Sequence, residues 1–138
     1  MPQTERFPYS QQDPALGPPS ALPYLPIRLE NQNRALVVDG LVDSGSALNV
    51  LPYDDGLQLG FDWNQQAIRV QLAGILAGSE ARAVLVQGTV GAFPPVQLAF
   101  AWTTNNNVPA ILGQVNFFAE FDVCFYRSQM AFEIKTTT

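Results

Sequence analysis

The chain has 138 residues, enough for one domain with its own apolar core, and carries 7 Lys+Arg against 12 Asp+Glu, no histidine and a single cysteine. Without histidine there is no Ser-His-Asp triad, no Cys-His dyad and no His-ligated zinc, and Cys124 alone makes neither an intrachain disulfide nor a Cys-rich metal centre. No metal or cofactor is therefore expected, and acid-base chemistry is left to carboxylates.

A net charge of −5, with arginines scattered from Arg6 to Arg127, argues against a nucleic-acid surface. No apolar run approaches the roughly 20 residues of a membrane span. Met1-Pro2-Gln3-Thr4-Glu5 lacks the basic and then apolar pattern of a secretory signal. The expectation is a soluble, cytoplasmic protein.

Residues 1–23 differ from the rest. Pro2, Pro8, Pro14, Pro18, Pro19 and Pro23 are interleaved with Gln3, Gln11 and Gln12, and proline removes backbone donors and favours extended geometry. This stretch reads as a flexible Pro/Gln-rich arm, followed by one domain over 24–138. From Tyr24 the pattern is strand-like, with Leu25, Ile27 and Leu29 on one face and Arg28 and Glu30 on the other. Asn31-Gln32-Asn33 is a turn signal, and Ala35 to Val42 is nearly all apolar. Further strands are expected at 67–72, 81–90, 96–102, 121–126 and 130–134, and one short helix at 114–120. Many short strands separated by Gly and Pro make the chain all-β, a closed barrel or sandwich with one short C-terminal helix. Cys124 is expected as a buried, inert thiol, and Trp63 and Trp102 as packing residues.

The segment that can carry chemistry is Leu41-Val42-Asp43-Ser44-Gly45-Ser46-Ala47. An apolar strand delivers the Asp43 carboxylate to an interior position, and Gly45 permits a turn whose backbone N–H groups point back at it. Taken alone, Asp-Ser-Gly after a strand is more often an ordinary turn. The wider pattern, however, resembles the retropepsin-like aspartic proteases, the family of the retroviral proteases and their bacterial relatives. There an apolar strand enters Asp-Thr/Ser-Gly, as Val37 to Gly45 does here, and an apolar-apolar-Gly motif lies near the C-terminus, matched by Ile111-Leu112-Gly113. The run from Phe117 through Phe118, Phe121 and Val123 to Phe125 is similar to the helix-to-strand run of the bacterial members. The likeness spans about residues 24–135.

The resemblance implies that Asp43 is the catalytic acid-base, that Ser44 and Gly45 hold the active-site loop, and that Ile111, Leu112 and Gly113 pack beside it. It implies a flap hairpin at 72–78, flanked by strands 67–70 and 81–86, with Ala73, Gly74, Ile75 and Leu76 closing over substrate. Ser46 is expected to donate its hydroxyl to the Asp43 carboxylate. Gln114 and Asn116 stand where many retroviral relatives have Arg and then Asn or Asp, so a salt bridge near the dimer interface is missing.

No second acid in the chain completes a pair. Asp39 lies four residues before Asp43, about 13 Å away along a strand. Asp54-Asp55 before Gly56 reads as an exposed turn, and so does Asp62. A second Asp-Ser/Thr-Gly is missing, which excludes a two-lobed pepsin-like monomer. The implied assembly is a two-fold homodimer in which Asp43 of each subunit meets at the axis, one of the two retaining a proton. Its substrates would be extended peptides or proteins with hydrophobic residues flanking the cut, and Phe7, Tyr9, Tyr24 and Leu25 would be candidate sites of self-trimming. The partners implied are a second copy and the substrate, with no nucleic acid and no membrane. A rival reading, motivated by Gln114 to Asn116, is a binding or dimerisation module that keeps the fold without turnover.

Overall fold

Half-buried Glu5 and Phe7 alternate with exposed Thr4, Arg6 and Pro8, and in the computed structural model, which describes residues 3–137, they form strand β1 (Thr4–Pro8). This strand pairs antiparallel with the C-terminal segment, Phe7 opposite Phe132. Their rings stack at 5.7 Å between centroids, and the Tyr9 N–H donates to the Met130 carbonyl at 2.8 Å. Residues 4–8, expected to belong to a flexible arm, are thus paired in a ladder where one apolar side chain meets a buried aromatic; Pro2 lies outside the described residues. Pro14–Leu16 and Pro18–Ser20 are single 3-10 turns opened by prolines, whose missing N–H is not needed there. Arg127 ties the loop down by donating to the carbonyls of Ala21 at 2.8 Å and Pro19 at 3.1 Å. Phe7, Tyr24 and Leu25 are all in paired strands, so cleavage there would require unpairing.

The barrel begins with β2 (Tyr24–Asn31) and β3 (Arg34–Val42), an antiparallel hairpin turning at Gln32 and Asn33. Leu25, Ile27 and Leu29 all point inward with no exposed surface, as their alternation requires. Then come β4 (Asn49–Leu51), β5 (Ala81–Thr89), β6 (Val96–Thr103) and β7 (Ile111–Leu112), and the barrel closes in the order β2-β3-β7-β4-β6-β5. Two pairings are parallel, β3 with β7 and β4 with β6, and they bring distant stretches of chain together at one end. Leu98, Phe100 and Trp102 of β6 face the core, each fully buried large side chain contributing about 2 kcal/mol or more.

Two expectations about local structure are corrected. Residues 67–72 do not form a strand: a single bridge joins Arg69 to Arg82. Asp54 and Asp55 lie in a helix, α1 (Tyr53–Gln58), and not in an exposed turn. The helix packs so closely that a β-carbon on Gly56 would collide with the Trp102 indole, whose N–H donates to the Tyr53 carbonyl at 3.0 Å. Trp63 meets the same indole edge-on at 5.1 Å, so both tryptophans are packing residues.

Helix α2 (Phe117–Glu120) is short as expected and leads into β8 (Phe121–Tyr126) and β9 (Ala131–Thr136). These strands and β1 form a second sheet in the order β1-β9-β8. β8 is therefore an edge, and Cys124 on it is exposed, contrary to the buried thiol expected. Among the described residues no helix is long and apolar enough to cross a membrane.

Candidate active site

Asp43 sits where β3 ends beside β7. Its backbone N–H donates to the Leu112 carbonyl at 3.0 Å, and its half-buried carboxylate accepts the Gly45 N–H at 2.9 Å. The turn closes with the Ser46 N–H donating to the Asp43 carbonyl at 3.1 Å. Glycine suits position 45 because a β-carbon there would come within 3.2 Å of the carboxylate oxygen it must approach. The Ser46 hydroxyl does not reach Asp43. It donates instead to the Leu48 carbonyl at 2.7 Å, and so it fixes the loop's exit.

The C-terminal motif packs beneath this loop. Ile111 and Leu112 run parallel to Leu41 and Val42, and a β-carbon on Gly113 would collide with the carbonyls of Ser46 and Leu48. Past it, the N–H groups of Gln114 and Val115 donate to the carbonyls of Ser46 at 2.9 Å and Ala47 at 2.8 Å. The Gln114 side-chain amide donates to the Ser44 carbonyl at 2.9 Å, a neutral link to the exposed Ser44.

The loop opens onto a cleft of about 510 Å³. Leu48, Val50 and Ile111 line one side, and Leu72 and the segment Ala73, Gly74, Ile75 and Leu76 line another. The expected flap residues thus face the cleft, but as a 3-10 turn with Gly74 at φ 64, not as the tip of a regular hairpin. Leu72 and Leu76 are buried against Val50 and Ala101, whereas Ile75 is fully exposed. Asp43 is the only ionisable side chain among the described residues lining the cleft. Asp39, Asp54 and Asp62 are exposed elsewhere, and Asp55 is half-buried in α1. Among the described residues no three His, Cys, Asp or Glu side chains stand together as a metal site would need.

One residue at the site went unnoticed in the sequence. Asn49 is fully buried, and it hydrogen-bonds both to Gly113 and to Asn116. One polar residue inside the apolar run Leu48-Asn49-Val50-Leu51 was the available signal.

No protein-family model matches the sequence, and no curated protein matches it. Among solved structures, the crystal structure of a retropepsin-like aspartic protease from Rickettsia conorii superposes with a TM-score of 0.68. The match covers 99% of this chain and 94% of that one at 11% sequence identity. The closed barrel, the parallel pairings around the Asp43 loop and this superposition together show that the chain has the retropepsin-like fold.

Proposed function

We propose that the chain is an aspartic endopeptidase that works as a homodimer, with Asp43 of each subunit supplying one of the two catalytic carboxylates. The observation that carries the reading is Asp43 itself: one carboxylate, held by the Gly45 N–H at 2.9 Å, at the floor of an apolar cleft with no other ionisable side chain among the described residues that line it. Two carboxylates brought close together cannot both ionise readily, so the pair keeps one proton. The charged member takes a proton from a water held between them, while the protonated member donates to the scissile carbonyl oxygen. The hydroxide equivalent adds to the carbonyl carbon, and the resulting diol collapses as the leaving nitrogen is protonated.

Leu48, Val50, Leu72, Leu76 and Ile111 favour apolar side chains flanking the scissile bond, because each methylene removed from water contributes about 0.8 kcal/mol. The exposed Ile75 and the positive φ of Gly74 suit a segment that folds down over bound peptide. The homodimer is supported by the lone carboxylate of the cleft and by the unpaired edge of β8.

The test is cleavage of a peptide library at acidic pH with and without a statine-type inhibitor. The expected result is inhibitor-sensitive cutting between hydrophobic residues, reduced at least about a thousandfold by Asp43→Asn. Equal cutting by Asp43→Asn protein would remove Asp43 from the mechanism.

A further inference from the structure

We propose that Asn49 is the residue that positions the Asp43 loop, acting through the Gly113 backbone and through the partner carboxamide Asn116. The inference rests on the reading of Asp43 as the reacting group, but its geometry is independent of that reading. Asn49 opens β4 and has no exposed surface. Its Oδ1 accepts the Gly113 N–H at 2.8 Å, and its Nδ2 donates to the Ala99 carbonyl at 3.0 Å and to Asn116 Oδ1 at 3.2 Å. Asn116 Oδ1 also accepts the Ala99 N–H at 3.0 Å, and its Nδ2 donates to the Gln97 carbonyl at 2.9 Å. The two carboxamides therefore join the segment under the catalytic loop to β6, a strand paired on both sides within the barrel.

Gly113 is the point where this matters. Its backbone lies against the carbonyls of Ser46 and Leu48 with no room for a β-carbon. Leu112 before it accepts the Asp43 N–H, and Gln114 after it donates to Ser46. A shift of Gly113 would therefore move both ends of the Asp43–Ser46 turn, and the Asn49 bond is what fixes its buried N–H.

The chemistry of the site selects a carboxamide at position 49. Gly113 requires an acceptor, while the Ala99 carbonyl and Asn116 Oδ1 require donors, and only an amide offers one acceptor and two donors in that volume. An apolar side chain leaves the buried Gly113 N–H without a partner. A carboxylate satisfies Gly113 but turns acceptors toward acceptors. Protonated, it recovers one acceptor and one donor. No side chain bonded to Asn49 or Asn116 is ionisable, so the parent's Asn49 and Asn116 links do not themselves change with pH.

Asn49→Asp makes that prediction testable. While the introduced carboxyl is protonated, cleavage should stay near the parent's. As it ionises, kcat should fall by about tenfold more than the parent's own decline, with KM within about threefold. Over the same pH range, amide hydrogen exchange at Ser46, Gln114 and Val115 should accelerate by about tenfold while the amides of β5 and β6 keep their protection. Asn116→Leu, at a half-buried position, should loosen the same three amides without the pH step. A pH profile for Asn49→Asp that coincides with the parent's, or exchange that rises evenly through the barrel, would overturn the proposal. Should the parent cut no peptide at all, the protease reading fails while the exchange measurements still decide the role of Asn49.

Discussion

Asp54 and Asp55 share the first turn of α1, and only Asp55 is partly shielded from water by the surrounding structure. Burial, and secondarily the adjacent Asp54 charge, push the Asp55 carboxyl above its ordinary value. A carboxyl with a raised folded-state pKa binds its proton more tightly in the folded chain than in the unfolded one. Its contribution is therefore fully present in acid and is lost as pH rises from the ordinary carboxylate value through the raised one. Asp55→Asn removes that loss. Thermal unfolding of parent and variant between about pH 3 and pH 7 should show the variant gaining on the parent as pH rises, and then a constant difference. A difference that is flat throughout would mean that Asp55 does not titrate differently on folding.

At the scale of elements, legibility followed periodicity. β2 and β6 could be read because Leu25, Ile27, Leu29 and Val96, Leu98, Phe100, Trp102 alternate in a pattern that is local. The Asp43 loop and Ile111-Leu112-Gly113 were readable as a pair of motifs, but that Gly113 lies against Ser46 and Leu48 was not, since the contact depends on parallel pairing between distant strands. α1 was hidden by Gly56, a poor helix former that is needed because its bare backbone lets Trp102 in. Cys124 misled because an edge strand has fewer neighbours than its apolar sequence implies. β1 was hidden by Pro8 and the prolines that follow it. Its worth can be measured: Phe7 stacks on Phe132 and packs against the main core. Phe7→Ala should cost about 2 kcal/mol, below the usual penalty for a fully buried phenylalanine because Phe7 is only half-buried. That corresponds to a Tm lower by roughly 8 °C, and an unchanged Tm would mean that β1 contributes nothing to the folded state.

On the mechanism proposed for Asp43 the whole molecule would present half of a two-acid site, and the functional unit proposed is accordingly two chains. The edge of β8 is the feature best suited to join them. An unpaired strand offers a row of free backbone donors and acceptors, and this one exposes Phe125 at 41% beside the exposed Cys124. It also lies close to the Asp43 loop, since Gln114, which donates to the Ser44 carbonyl, lines a groove with Val123 and Cys124 of β8. Pairing β8 with its copy would continue the three-stranded sheet across the axis and bury Phe125 twice. Phe125→Lys should keep the fold, because 41% of the side chain already meets solvent and a lysine stem can cover part of what the ring covers, but it sets two ammonium groups near each other in the dimer. Sedimentation across concentration should show dimer dissociation at about a hundredfold higher concentration than for the parent, a change of about 2.7 kcal/mol. Specific activity should fall along the same curve and return at high protein concentration, because each reassembled dimer has an unaltered Asp43 pair. Activity that stays proportional to protein down to concentrations where only monomer sediments would show that one Asp43 suffices, and the two-chain mechanism would have to be abandoned.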